Sequence, residues 1–232
     1  MIDFNDKYIK ENLMGPNCIK VLEEFSKEID LKPNMRVLDL GCGSGLTSMY
    51  LAKTFDIQVF ATDLWISASD NYNRFKELGY ENNIIPIHAD ANDLPFTDEY
   101  FDAVISVDSY HYFGRNEEYL DKHLLPLVKQ GGKILIIMPG MKKDIHNNIP
   151  PEMLLSWTPE ELDTIHDAKY WTNIIGKSKS SEIISVSESR RFNECWDEWL
   201  ECDNEYAVKD RKAMSAGAGE YMNLLAFVLC KK

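Results

Sequence analysis

The residue types best suited to chemistry are acids and glycines concentrated in the first half of the chain. Asp39 lies two residues before Gly41, and Gly41, Cys42, Gly43 and Gly45 make a loop so poor in side chains that its backbone can bend sharply and approach a ligand closely. Asp63 ends a second apolar run, where a carboxylate can accept hydrogen bonds from both hydroxyls of a ribose. Asp90, followed by Ala91, ends a third, where it can accept from an exocyclic adenine amine. The stretch Ser106-Val-Asp-Ser-Tyr-His-Tyr112 ends a fourth and would face the reacting end of a bound molecule. Within it, the His111 imidazole could act as a general base near neutral pH. It could equally pack among Tyr110, Tyr112 and Phe113 with its nitrogens satisfied. Cys42 reads better as a small residue in the loop than as a nucleophile.

These groups need elements that bring them to one edge. Val37, Leu38 and Leu40 predict a buried strand that leads into the glycine loop, and residues 46–54 predict a helix whose free N–H groups point back at a ligand. Further apolar runs predict strands over 56–62, 83–88, 101–107 and 132–138, with helices over about 67–79 and 117–129 between them. Pro86 suggests a bulge or a strand end. Near-continuous Val/Ile/Leu runs belong to parallel strands covered by helices on both faces. Later in the chain, Asn17 and the capping box Thr158-Pro-Glu-Glu161 predict helix starts, and 193–207 a helix carrying Trp196, Trp199 and Tyr206. Strands over 181–188 and 223–230 close the pattern as an antiparallel addition to the same sheet. One domain over 1–232 is the economical reading, with 1–16 a candidate lid and 141–180 a lid or connecting segment.

The 232 residues, 44% hydrophobic and 27% charged, suit one soluble globular α/β unit. A formal charge of −13 argues against nucleic acid and anionic membranes as partners. The run Leu224 to Cys230 is too short to span a bilayer, the opening residues lack a basic signal pattern, and the five cysteines show no Cys-x-x-Cys spacing. These features predict a cytoplasmic protein with idle thiols. His88, His123, His146 and His166 look scattered, so no metal is expected.

Taken together, Val37-Leu-Asp-Leu-Gly-Cys-Gly-Ser-Gly45, Ala61-Thr-Asp-Leu64, Ala89-Asp-Ala91 and Phe101-Asp-Ala-Val-Ile-Ser-Val107 resemble the successive motifs of class I S-adenosylmethionine-dependent methyltransferases. The resemblance implies a Rossmann-like, doubly wound, seven-stranded sheet with only the last strand antiparallel. It implies the glycine loop, Cys42 included, under the methionine moiety and ribose of S-adenosylmethionine, and Asp63 on the ribose hydroxyls. It also implies Leu64 beside the adenine, Asp90 with Ala91 at the adenine amine, and Ser106 near the sulfonium. The implied reaction is methyl transfer to a small-molecule acceptor, an amine or another nucleophile. Two alternatives stay open, a nicotinamide-dependent oxidoreductase and a non-catalytic S-adenosylmethionine-binding protein. Against the first, Leu46 stands where the third glycine of a dinucleotide fingerprint belongs.

Overall fold

The computed structural model describes residues 6–232. The chain runs α1 (Asp6–Asn12), α2 (Cys18–Phe25), β1 (Arg36–Leu40), α3 (Leu46–Phe55), β2 (Gln58–Asp63), α4 (Ala68–Glu77), β3 (Ile84–His88), β4 (Phe101–Val107) and α5 (Tyr110–Phe113). It continues with β5 (Val128–Met141), α6 (Pro159–Leu162), α7 (Ala168–Ile175), β6 (Ser181–Glu188), α8 (Phe192–Leu200), α9 (Glu205–Ser215) and β7 (Met222–Lys231). All seven strands join one sheet in the order β3-β2-β1-β4-β5-β7-β6. The pairs from β3 to β5 are parallel, and β7 runs antiparallel to both β5 and β6. The fold is the Rossmann-like one that the motifs implied.

Strand alternation splits the core into two layers. Val37, Val59, Ala61 and Ile105 pack on one face with Leu46, Met49 and Trp196, while Leu38, Leu40, Phe60 and Val104 pack on the other with Tyr110, Tyr119 and Trp171. Each such aliphatic side chain, buried on both strand neighbours, contributes roughly 1.5–3 kcal/mol. The strand order reverses at β1, whose neighbours are β2 and β4. A crevice opens there at the carboxyl ends, the usual ligand position in an open α/β sheet.

Several helix starts follow the side-chain capping written in the sequence. Asn17 Oδ1 accepts the backbone N–H groups of Ile19 and Lys20 at 3.0 and 3.1 Å, and the Thr158–Glu161 capping box is complete at α6.

Some expectations need correction. The helix predicted over 117–129 is a short π turn at Leu120–Leu124 followed by a 3₁₀ turn at Leu125–Leu127. Pro126 cannot donate a helix hydrogen bond, and Val128 pairs with Phe101 to start β5 four residues earlier than expected. The helix predicted over 193–207 is two helices, because Asn204 caps a second one by accepting from Tyr206 N at 2.9 Å. Helix α7 was not anticipated; its cap is Asp167, which accepts from Tyr170 N at 2.8 Å. Pro86 marks neither a bulge nor a strand end. It pairs with Ala61 inside β3, an edge strand, where a missing N–H leaves no ladder partner unsatisfied.

Candidate active site

The loop between β1 and α3 is held from three sides. Gly41 N and Cys42 N both donate to Thr62 O, at 2.8 and 3.1 Å, which fixes the loop to the end of β2. Asn71 Nδ2 on α4 donates to Gly43 O at 2.9 Å. Gly43 N donates to Asp63 Oδ2 at 2.8 Å, while Asp63 Oδ1 accepts from Trp65 N and Ile66 N at 2.7 and 2.9 Å. Asp63 is therefore an organiser of the loop and only 8% exposed. Gly45 needs to be glycine for two reasons. Its φ is +81°, and a Cβ there would lie 2.4 Å from the ring of the fully buried Phe75.

Asp39 does not reach the crevice. It is fully buried under the first turn of α3, where Thr47 Oγ1 and Ser48 Oγ both donate to its Oδ2 at 2.6 Å. Burial pushes its carboxyl up to about 6 against the pull of those two hydroxyls. Its work is to hold α3 on β1, so it acts on a ligand only through the loop. Ser106 is also fully buried. Ser109 Oγ donates to Leu40 O at 2.8 Å, which leaves Ser106 Oγ as the donor to Ser109 Oγ at 2.7 Å. This chain of hydroxyls ties the tip of β4 to the tip of β1.

The remaining predicted residues do come together. A cavity of about 320 Å³ is lined by the loop Gly41–Ser44, by Asp63, Leu64 and Trp65, and by Ala89–Asn92. Leu64 and Trp65 are 51% and 67% exposed, so they form an apolar flap at its mouth. Asp90 is exposed, and its carboxyl lies below the ordinary range because Asn92 donates to it through backbone and side chain. Asn12, Met14, Gly15, Pro16 and Cys18 close another side. Ser44 Oγ donates to Asn12 O at 2.7 Å, and Met14 Sδ lies against Gly43, 2.9 Å from where a Cβ would stand. The part of the predicted 1–16 lid that precedes residue 6 lies outside the described residues.

Asp108 is the site residue that the sequence reading passed over. It follows β4 with a left-handed φ of +56°, and this turns its side chain into the cavity and against Gly15, where a Cβ would stand 2.2 Å from Oδ2. Among the described residues no donor hydrogen-bonds its carboxylate, and burial, with a smaller contribution from the Asp210 carboxylate, pushes it up to about 7. The available signal was the Ser-Val-Asp-Ser tip itself, but strand periodicity gives no hint of a left-handed residue there.

His111 is 3% exposed and does not line the cavity. Its ring packs 4.0 Å from Tyr112, its Nδ1 has no hydrogen-bond partner among the described residues, and burial, then the Arg115 charge, lowers it to about 3. The packing reading fits its position, but without the satisfied nitrogens it assumed. Trp196 and Trp199 form a buried helix face. The histidines are not all scattered either: His146 and His166 rings lie 4.6 Å apart, beside Asp163.

The cavity carries three carboxylates, from Asp63, Asp90 and Asp108, and no lysine, arginine or histidine among the described lining residues. That balance suits a cationic ligand and opposes the pyrophosphate of a dinucleotide. A family model described as methyltransferase domain matches residues 37–132, the segment that builds the loop, Asp63, Asp90 and β4. Over these residues the chain is similar to a methyltransferase domain.

The chain is 30% identical over 191 residues to a phosphoethanolamine N-methyltransferase of Triticum aestivum, an alignment covering 81% of this chain and 36% of that protein. It is 31% identical over 124 residues to the glycine/sarcosine/dimethylglycine N-methyltransferase of Actinopolyspora halophila, covering 52% of this chain and 21% of the other. Among solved structures, phosphoethanolamine N-methyltransferase 2 of Haemonchus contortus in complex with S-adenosyl-L-methionine superposes with a TM-score of 0.75 at 20% identity, over 99% of this chain and 58% of that one. The chain spans between 26% and 36% of the length of the plant relatives it matches. No helix among the described residues is long and apolar enough to cross a membrane.

Proposed function

We propose that this chain transfers the methyl group of S-adenosylmethionine to a small-molecule amine. The observation that carries the reading is the cavity at the β1/β4 reversal, walled by the glycine loop on one side and by Asp63, Asp90 and Asp108 on others, whose charged residues among the described lining are all acids. When bound, the cofactor supplies an activated methyl group on a positively charged sulfur. Asp63, with the acceptor capacity its carboxylate has left, would hold its ribose, Leu64 and Ala91 would flank the base, and Asp90 would meet the adenine amine. The carboxylate at Asp108 would hold an acceptor ammonium by ion pairing. With its acid constant near neutrality, it can also take the proton that the amine must lose before it attacks. Met14, Gly15 and Pro16 cover the cavity and exclude water, and the positioning this allows is worth on the order of 7–11 kcal/mol of barrier.

The relatives named above methylate phosphoethanolamine or glycine derivatives by their names. Because no cationic side chain among the described residues lines this cavity, we place a phosphate-free amine ahead of a phosphorylated one. The charge of −13 and the five free cysteines support a cytoplasmic setting without a nucleic-acid partner. The test is calorimetric titration with S-adenosylhomocysteine, followed by turnover with methyl-labelled cofactor against a panel holding ethanolamine, sarcosine, larger primary amines and phosphoethanolamine. Failure to bind S-adenosylhomocysteine overturns the cofactor assignment. Tight binding with no turnover on any amine leaves a non-catalytic binding protein.

A further inference from the structure

We infer that His146, His166 and Asp163 form a binding site for one divalent first-row transition-metal ion, with Zn²⁺ as its simplest occupant. The three residues come from irregular chain, and none of them lines the cavity described above. His146 lies in the segment after β5, and Asp163 and His166 lie in the turn between α6 and α7. Met141 N donates to His166 O at 3.1 Å, and Met141 bridges Asp167, which brings the two segments side by side. One donor atom from each residue can be chosen so that all three lie within 4.8 Å of one another. Two imidazole nitrogens and a carboxylate oxygen make a borderline donor set that favours zinc, nickel, cobalt or copper over magnesium or calcium.

The surroundings act as a supporting shell. Asp144 Oδ1 accepts from His146 N at 3.0 Å and lies 2.7 Å from His146 Nδ1. A ligating histidine that gives its other N–H to a carboxylate is the usual outer arrangement at a metal site. On the opposite side of the same ring, Nε2 lies 3.2 Å from Leu162 O. With its N–H on Nδ1 toward Asp144, the ring presents its Nε2 lone pair for a cation. His166 is stacked on Tyr170 with ring centroids 3.6 Å apart, and Arg115 holds Asp163 Oδ2 at 2.7 Å, leaving the other carboxylate oxygen for an ion. Each ligand is thus oriented by a separate neighbour.

An ion here would cross-link the segment after β5 to the α6–α7 turn and, through Arg115, to the end of α5. Its role is a clamp on the chain that borders the cavity. The experiment uses the full chain, freed of any histidine tag and stripped with chelator. ZnCl₂ is titrated in competition with a chromogenic chelator, and Co²⁺ binding is followed by absorption. One equivalent should bind, with Co²⁺ bands of nitrogen and oxygen ligation and no thiolate charge transfer. At a hundredfold excess of Zn²⁺ over Kd, the melting temperature should rise by about 5–10 °C. His166→Ala and His146→Ala should each abolish the stoichiometric phase, and Asp144→Asn, which leaves every ligand in place, should weaken it by about 10- to 100-fold. Absence of stoichiometric binding, unchanged affinity in the histidine variants or a thiolate band overturns the assignment. Melting curves of the stripped variants show whether they fold. If the histidine variants do not, unchanged affinity in Asp144→Asn overturns the site by itself.

Discussion

Replacing Asp63 by asparagine tests the organisation of the cavity at one atom. One carboxylate oxygen accepts Gly43 N at 2.8 Å, and the other accepts Trp65 N and Ile66 N at 2.7 and 2.9 Å. Asparagine supplies one acceptor and one donor in the same volume. If its oxygen keeps Trp65 and Ile66, its NH₂ confronts the Gly43 N–H, donor against donor. A hydrogen bond to a charged group is worth about 1.5–3 kcal/mol. Expressed wholly in binding, that loss weakens S-adenosylhomocysteine by about 10- to 150-fold. Expressed wholly in stability, it lowers the melting temperature by roughly 3–12 °C for a chain of this size. Titration calorimetry and circular-dichroism melts on the same samples divide the effect between the two. Asp63→Ala removes all three acceptors and should exceed Asp63→Asn in both measurements. An Asp63→Asn protein that melts with the wild type and binds within threefold of it would show that the carboxylate does not organise the loop.

Gly45→Ala forces a Cβ onto Phe75 at positive φ, so urea unfolding should show a loss of about 2–5 kcal/mol; a loss below 1 kcal/mol would mean that the helix start shifts freely. Trp65→Ala should leave urea stability within about 0.5 kcal/mol, because the ring is mostly exposed, yet weaken S-adenosylhomocysteine several-fold; equal affinity would remove Trp65 from the mouth of the site. The folded state keeps a proton on Asp108 up to about pH 7, which the unfolded chain releases near the ordinary 3.8. Stability from this group therefore falls as pH rises through that window, by about 4 kcal/mol at most, and Asp108→Asn should remove that fall; parallel wild-type and variant curves between pH 5 and 8 would refute it. His111→Phe should retain the same pH–rate profile above pH 5, and disappearance of a limb near pH 6.5 would restore the imidazole as a general base.

Much of this architecture was readable because the central strands are apolar runs whose burial leaves little freedom of assignment. Val37 to Leu40, Phe101 to Val107 and Met222 to Cys230 are nearly continuous in this respect. Glycine spacing and an acid at the end of β2 marked the loop and Asp63 for the same reason, since they depend on local backbone chemistry. What escaped depends on distance in the chain or on one torsion angle. Residues 117–129 offered helical spacing, but pairing with Phe101 took Val128 into the sheet. Asp39 and Ser106 carry polar atoms in a motif that suggests ligand contact, yet both side chains are fully buried, with Thr47 and Ser48 on Asp39 Oδ2 and Ser109 on Ser106 Oγ. His146 and His166 meet only because the segment after β5 folds back on the α6–α7 turn, a contact that no local pattern encodes.

The backbone bend at Asp108 narrows the set of side chains that can stand at the end of β4. Asparagine and aspartate tolerate the left-handed region better than other side-chain-bearing residues, and β-branched or bulky ones are disfavoured there. A lineage seeking to accept an uncharged nucleophile could therefore exchange the acid for its amide with little conformational penalty. Lengthening it to glutamate would push the carboxylate toward Gly15 at the same time as it strained the main chain. Charge is adjustable at this point, while reach is not.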